Sequence, residues 1–208
     1  LDEGANVNIR EEQGNPLILG ALYDENFALV YILLEAGADI NIENKYGNNI
    51  LREAAEEGYT ELVEVLIKRD STSLTEALCE AVYENNQEIV KLLIDAGANI
   101  NIADEDGRTL LIDAIYDEYN EIAKILIDAG IKKQEVALWR ASKYGNVEIV
   151  QKLINVGAPL NYQPDYREKS GIVKGYTPLM FAVEDNDIER VKMLIEAGAN
   201  LKLQGEKK

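Results

Sequence analysis

The residues of this chain that could do chemistry are mostly carboxylates. Asp and Glu together number 38, histidine is absent, and Cys79 is the single cysteine. The absence of histidine excludes the Ser-His-Asp and Cys-His nucleophilic arrangements and every His-ligated metal site. One cysteine excludes a thiolate zinc cluster, and the sequence contains no glycine-rich phosphate loop. We therefore predict no enzyme activity, no catalytic residue, no metal ion and no cofactor.

The spacing of the carboxylates bears on two possible functions. Pairs of acids could perform acid–base catalysis, but at this density close pairs occur everywhere and their spacing is uninformative. The segment Asp104-Glu105-Asp106-Gly107 invites a calcium reading. With Gly107 at the sixth position of an EF-hand loop, however, the first ligand position is Ile102 and the twelfth is Asp113 rather than Glu. The segment is better interpreted as an acidic turn.

The elements that must position these side chains are six copies of one short unit. In five of them an alanine is followed sixteen residues later by a glycine, and in the sixth by Asp70. The anchoring pairs are Ala21–Gly37, Ala54–Asp70, Ala81–Gly97, Ala114–Gly130, Ala141–Gly157 and Ala182–Gly198. Twelve positions after each alanine stands Leu33, Leu66, Leu93, Leu126, Leu153 or Leu194. Apolar residues at helical spacing and in fixed register predict two short helices per copy, packed on their neighbours.

Helix ends can also be predicted from local signals. Thr177 followed by Pro178 is typical of an N-cap and first helical position. Ser73 and Glu76 have capping-box spacing, which predicts a helix beginning directly after Ser73. The closing glycines are expected in the left-handed conformation at the end of each second helix.

The connections between copies differ in length. Two ten-residue connections, Gly37–Gly47 and Gly97–Gly107, have room for an extended arm, a tight turn and a return. The four-residue connections Asp70–Leu74 and Gly130–Gln134 can only link two helices. The connection Gly157–Gly175 is longer by an insertion within 158–174, where we expect protease to cut first.

The period and wording of the copies resemble the ankyrin repeat, which has about 33 residues and a T-P-L-H-x-A signature. The last copy reads Thr177-Pro178-Leu179-Met180-Phe181-Ala182, and Ala36-Gly37-Ala38-Asp39-Ile40-Asn41 is similar to the family's A-G-A-D-x-N ending. The resemblance implies an all-α solenoid of about six helix-turn-helix repeats plus a partial N-terminal repeat, with short β-hairpin-like fingers. It also implies one domain over 1–208. Its parts are 1–9, the end of a preceding repeat, and repeats at about 10–42, 43–72, 73–102, 103–132, 133–161 and 162–203.

Three features depart from what the resemblance implies or extend it. The position of the family's structural histidine holds Leu19, Arg52, Cys79, Ile112, Trp139 and Met180, so weaker cohesion between copies is expected. Because the chain opens on the ending of a repeat, we expect it to be a fragment of a longer array. The family also implies that Asn41, with Leu33 and Asp39 before it, could be a substrate of an asparaginyl hydroxylase. The alternative is that Asn41 only stabilises its finger through bonds to backbone.

The charge limits the partners. A net charge of −17, from 38 acids and 21 bases, repels phosphate backbones and anionic lipid. No apolar run approaches the roughly 18 residues needed to span a bilayer, and the single cysteine is typical of a reducing compartment. We predict an intracellular, cytoplasmic monomer that binds neither nucleic acid nor membrane. Its partner would be a protein or peptide with a basic surface.

Ankyrin arrays usually meet partners at the finger tips and at the exposed ends of the first helices, on the concave side. Here the positions at those helix ends, called the first-helix pairs below, are Tyr23-Asp24, Glu56-Glu57, Tyr83-Glu84, Tyr116-Asp117, Lys143-Tyr144 and Glu184-Asp185. The finger tips add Tyr46, Asp104, Glu105 and Asp106. Tyr offers a large contact area with little entropy to lose, and the acids would steer a basic partner.

We therefore predict a concave, acidic, Tyr-rich surface that binds a basic or extended partner, strongest over Tyr83, Glu84, Tyr116 and Asp117. In the alternative interpretation of these residues, the acids are a solvated face and the tyrosines cover the helix ends of their neighbours. The alternative function is that of a targeting arm in a larger multidomain enzyme or effector protein.

Overall fold

The computed structural model of the chain describes residues 6–12, 14–69, 72–105, 107–164 and 175–205. Cα packing divides the chain into two compact units, Leu1–Asn99 and Ile100–Lys208. The residues so described contain twelve α-helices and no β-strand. The predicted all-α class and the six helix pairs are confirmed, while the single domain over 1–208 and its repeat limits stay predictions.

The first unit contains three helix pairs. Its helices are α1 (Leu17–Tyr23), α2 (Phe27–Glu35), α3 (Ile50–Glu56), α4 (Thr60–Ile67), α5 (Leu74–Tyr83) and α6 (Gln87–Asp95). Each odd-numbered helix packs on the even-numbered helix that follows it. The first helices pack in the order α1–α3–α5, and α4 lies against α6.

The second unit repeats this arrangement. Its helices are α7 (Leu110–Tyr116), α8 (Asn120–Asp128), α9 (Gln134–Lys143), α10 (Val147–Asn155), α11 (Pro178–Glu184) and α12 (Ile188–Glu196). The first helices pack as α7–α9–α11 and the second helices as α8–α10–α12. The insertion is predicted within 158–174, and residues 165–174 lie outside the described residues.

The leucines in fixed register form the core of both units. Leu33 retains 2% of its surface, and Leu66, Leu93, Leu126, Leu153 and Leu194 retain none. The following position is less uniform, because Leu34 and Ile127 are buried, whereas Ile67, Ile94 and Ile154 are half-buried and Ile195 on α12 is 44% exposed. The register predicted from the sequence is therefore right at the leucines, and burial at the following position is incomplete in four of the six copies.

The helix ends confirm most of the predicted signals and correct one. Thr177 caps α11, its Oγ1 accepting the Met180 N–H at 3.3 Å, and Gly97 has a left-handed φ of +95°. Helix α5 begins at Leu74 as predicted, but the capping box at Ser73 and Glu76 is wrong, because Ser73 makes no side-chain cap bond. Its Oγ instead accepts a hydrogen bond from Asn49 Nδ2 at 2.8 Å, across to the preceding copy.

The ten-residue connections form short fingers with tight turns, as predicted. In the first unit the Gly47 N–H donates to the Asn44 carbonyl at 3.2 Å, and the Asn44 N–H donates to the Asn48 carbonyl at 2.9 Å. In the second, Gly107 donates to Asp104 and Asp104 to Arg108, both at 3.0 Å. The segments 103–109 and 10–16 each contain one isolated antiparallel bridge. Neither forms a β-strand among the residues described.

Candidate partner-binding surface

The structure places the first-helix pairs at the C-terminal ends of the first helices, on the surface. Tyr23, Tyr83 and Tyr116 are the last residues of α1, α5 and α7, and Tyr144 follows α9. Tyr23 is 46% exposed, Tyr83 71%, Tyr116 58% and Tyr144 43%. The acids of the pairs are exposed as well, namely Asp24, Glu56, Glu57, Glu84, Asp117, Glu184 and Asp185, whereas Lys143 is half-buried.

An acid at a helix C-terminus opposes the helix macrodipole, so these carboxylates do not stabilise the helices that carry them. The same holds on second helices, since α2 and α6 end at the exposed residues Glu35 and Asp95. What distinguishes four of the six first-helix ends is an exposed Tyr, a side chain that would gain free energy from burial. In three of these four pairs the Tyr stands beside an acid, and this combination marks the surface.

One of the four tyrosines is tied to its finger. The Tyr23 hydroxyl accepts a hydrogen bond from Asn44 Nδ2 at 3.0 Å, and the same amide donates to Glu53 Oε1 at 3.1 Å. Asn48 Nδ2 also donates to Glu53 Oε1, at 2.9 Å. Burial, with the carboxylates of Glu53 and Glu56 close by, raises the pKa of Tyr23 to about 12. Tyr23 thus fits the alternative interpretation in part, and sequence reasoning missed Asn44 and Glu53.

The side chains of Tyr46 and Tyr83, the other predicted aromatic positions of the first unit, make no hydrogen bond among the residues described. Tyr83 is the most exposed of the helix-end tyrosines, and Tyr46 at the finger tip is 74% exposed with Lys45 Nζ 4.9 Å from its ring centre. Partial burial, then the charges of Glu53 and Glu80, raises the pKa of Glu56 above its ordinary value. The carboxylates there are close enough to disfavour one another's ionisation. A cationic partner would reduce this repulsion.

In the second unit the tyrosines contact each other. The rings of Tyr116 and Tyr144 meet edge to face with centroids 5.7 Å apart. The Arg108 guanidinium lies 5.3 Å from the Tyr116 centroid and binds Asp113 Oδ1 through Nε at 2.9 Å. Lys143 Nζ lies 5.0 Å from the Tyr144 centroid.

This Tyr pair forms one wall of an open cleft of about 490 Å³ between residues 116–120 and 144–148. Glu118, Asn120, Asn146 and Glu148 also line it. Asn146 Nδ2 donates to Asn120 Oδ1 at 2.5 Å, which ties the two loops together at the cleft. Sequence reasoning missed Glu118 and Glu148, because neither belongs to a first-helix pair.

The last copy uses one predicted partner-binding acid for its own structure. Asp185 Oδ2 binds Arg190 at 2.6 Å, and Asp187 Oδ2 binds it at 2.8 Å. Arg190, of which 2% is exposed, also donates to the Ser142 carbonyl oxygen on α9. Asp185 is therefore part of an ion-pair network that joins α12 to α9, while Glu184 beside it is exposed.

In the acidic turn of the second finger, Asp104 stabilises the finger itself. Asp104 Oδ1 accepts the Arg108 N–H at 2.8 Å, and Glu105 is exposed, while Asp106 lies outside the described residues. Among the residues that are described, no group of three or more His, Cys, Asp or Glu side chains is arranged to hold a metal ion. No helix in the same ranges is both long and apolar enough to cross a membrane.

Asn41 bonds to the backbone of the next copy. Its Oδ1 accepts the Thr72 N–H at 3.1 Å and the Thr72 hydroxyl at 3.0 Å. The same kind of bond recurs at 2.8 Å from Asp39, Lys132 and Asn200 N–H groups to the Oδ1 atoms of Asn8, Asn101 and Asn161. These asparagines hold successive connections together, whereas the sequence predicted only that Asn41 would stabilise its own finger.

Comparison with known proteins shows which of them share the sequence repeats and the fold of this chain. The family model described as ankyrin repeats (3 copies) matches residues 1–76, 70–137 and 132–205. Among solved structures, the ankyrin repeat domain of human ASB11 is 20% identical, with 92% of this chain and 87% of that chain covered and a TM-score of 0.64. The ankyrin repeat domain of Bcl-3, a member of the IkappaB protein family, is also 20% identical, with 93% and 91% covered and a TM-score of 0.74.

A third structure, an ankyrin repeat domain from Acinetobacter baumannii AYE, is 26% identical, with 94% and 88% covered and a TM-score of 0.51. These likenesses show a shared fold. Among curated protein sequences, none matches this chain.

Proposed function

Because this chain belongs to the ankyrin-repeat family, we propose that it recognises a basic or extended protein or peptide through its first-helix pairs and finger tips. Ankyrin repeats are generally protein–protein interaction modules, and the family is typically a non-enzymatic binding scaffold. The observation that carries the proposal is the exposure of Tyr83 and Tyr116, 71% and 58%, each followed by an exposed acid.

The proposed surface has a part on each unit. On the first it comprises Tyr23, Asp24, Tyr46, Glu56, Glu57, Tyr83 and Glu84. On the second it comprises Asp104, Glu105, Asp106, Tyr116, Asp117, Lys143, Tyr144, Glu184 and Asp185. Asp185 contributes least, because its carboxylate already binds Arg190. Glu84 and Asp117 contribute most, since each lies beside a Tyr exposed by more than half.

Charge supports a basic protein partner over the alternatives. At a net charge of −17 the chain repels nucleic acid and anionic lipid, and it accelerates association with a cation-rich surface. The tyrosines supply the contact area that long-range charge does not, because aromatic anchors carry much of the energy of an interface. We propose a monomeric scaffold that acts inside the cell.

The test compares two double variants with the same change of charge. Glu84→Gln with Asp117→Asn removes acids beside exposed tyrosines, and Glu35→Gln with Asp95→Asn removes acids at the ends of second helices. Both variants relieve repulsion at a helix C-terminus, so both are expected to melt at the wild-type temperature or slightly above it. Affinity is measured by fluorescence anisotropy against a panel of labelled, extended peptides with clustered Lys and Arg.

Of the two acid variants, only the one at Glu84 and Asp117 is expected to lose affinity. The double variant Tyr83→Ala with Tyr116→Ala is expected to lose more affinity, because each substitution deletes a contact surface. Equal losses in both acid variants would mean that the peptides respond to total charge alone. Binding left intact by the Tyr variant would remove these residues from the interface.

A further inference from the structure

The cleft between residues 116–120 and 144–148 is lined by side chains that contact one another. Tyr116 and Tyr144 meet edge to face on it. Asn146 also caps α10, its Oδ1 accepting the Ile149 N–H at 3.1 Å while its amide reaches Asn120. A cleft of about 490 Å³ falls in the size range of ligand sites, roughly 300–1,000 Å³. It is therefore large enough to receive a side chain.

The carboxylates at this cleft outnumber the cations that they bind. Lys124 Nζ is shared by Glu148 and Glu121, the latter at 2.7 Å. Glu118 has no ion-pair partner among the residues described, and Asp117 beside it is exposed. A cation that entered the cleft would meet carboxylates next to aromatic rings that already lie near cationic groups, Arg108 at Tyr116 and Lys143 at Tyr144.

The chain shows which cation suits this combination. At the finger of the same unit, the Arg108 guanidinium binds the Asp113 carboxylate and lies over the Tyr116 ring. A guanidinium can do both at once, because it is planar and presents its donors in a fork. The cleft offers the same two groups, a carboxylate at Glu118 and an aromatic ring at Tyr144.

We propose that this cleft is the subsite that takes an arginine side chain of the partner, held between the Tyr116–Tyr144 wall and the carboxylates of Glu118 and Glu148. This inference rests on the proposed function and adds to it a location and a residue type. The volume exceeds what one side chain fills, so the backbone of an extended peptide on either side of the arginine lies in the cleft as well.

The position of Glu118 makes a clean test possible. Its φ is +61°, in the left-handed region, and the corresponding loop position holds Glu25 at +52°, Asn85 at +56° and Asn186 at +54°. Asn tolerates this conformation better than Glu does. Glu118→Asn is therefore expected to fold at least as well as the wild type, and Glu25→Asn is a matched control with the same change of charge and conformation.

The experiment is an ¹⁵N NMR titration of the whole chain with the peptide acetyl-Gly-Arg-Gly-amide, and with its citrulline counterpart, which is neutral and of the same shape. We expect saturable shifts confined to the amides of 116–120 and 144–148 with the arginine peptide, and none with citrulline. Glu118→Asn is expected to weaken binding by about fivefold, the effect of one exposed ion pair, and Glu25→Asn to leave it unchanged.

Shifts scattered over the acidic surface, an equal response to citrulline, or equal effects of the two Asn variants would overturn the proposal. These outcomes are separable from failure of the proposed function. If basic peptides still lose affinity with the Glu84 and Asp117 variant but not with Glu118→Asn, the surface stands and the arginine subsite does not.

Discussion

The indole Nε1 of Trp139 on α9 donates a hydrogen bond of 2.8 Å to the backbone carbonyl oxygen of Tyr176, just before α11. Trp139 occupies the register position of the family's histidine, and 1% of it is exposed. Its ring also meets Phe181 edge to face, with centroids 5.3 Å apart. A different side chain thus supplies a bond to neighbouring backbone, where the chain re-enters the repeat after its longest connection.

Trp139→Phe is expected to destabilise the protein by about 1–3 kcal/mol, because it leaves the partly buried carbonyl of Tyr176 without its donor. The aromatic contact with Phe181 is largely kept. Urea unfolding followed by circular dichroism measures the change in the free energy of unfolding. Met180→Leu, at the same register position of the next copy, is the control and should cost less, since it alters an apolar side chain of similar volume. An unchanged unfolding midpoint for Trp139→Phe would show that the bond contributes nothing.

The sequence predicted what repeats within each copy. Leu93 is buried and Thr177 caps its helix, because both follow from local spacing and one residue type. It did not predict which polar groups meet between copies. Ser73 bonds to Asn49 instead of capping its own helix, and Arg190 donates to the Ser142 carbonyl oxygen on α9. Such pairs depend on how loops lie against one another, and no spacing along the chain encodes that.

Leu93→Ala is expected to cost about 2–5 kcal/mol, because it opens a cavity at a site with no exposed surface. Ile32→Ala on α2 is the control, since its side chain is 54% exposed and its loss removes little buried area. Thermal and urea unfolding of both variants give the comparison. Similar losses at the two sites would mean that the register of the core is wrong.

Asp187 gives part of the stability a dependence on pH. Its Oδ1 accepts the Arg190 N–H at 3.0 Å and its Oδ2 the guanidinium, and these hydrogen bonds lower its pKa below the ordinary value. The unfolded chain then binds the proton more readily than the folded one. The stabilisation is present above the ordinary Asp pKa of about 4 and is lost as pH falls through the lowered pKa.

Asp187→Asn keeps a residue that caps helices well but removes the charge. We expect it to be less stable than the wild type at pH 7 and to approach the wild type as pH falls below about 4. Melting temperatures across pH 7 to 3 measure the difference, with Glu184→Gln as the control for an exposed acid. The pKa of Asp113 is raised mainly by burial, so Asp113 changes the stability with pH in the opposite direction. Its effect is the same in the wild type and in Asp187→Asn, and it cancels in the difference between their melting temperatures. A constant offset between Asp187→Asn and the wild type at every pH would contradict the assignment.

Asn41 carries the last prediction, because its structural bond and its proposed hydroxylation compete for the same side chain. Its Oδ1 holds the Thr72 N–H and hydroxyl, so an asparaginyl hydroxylase must first release it. We expect Asn41 to gain one oxygen atom by mass spectrometry after incubation with such an enzyme, and Thr72→Ala to react faster because one of the two bonds is gone. Asn101 is the internal control. It makes the equivalent bond to Lys132 but follows Asn99 where Asn41 follows Asp39, so it should react more slowly. Modification of Asn101 ahead of Asn41, or of neither, would leave Asn41 with its structural role alone.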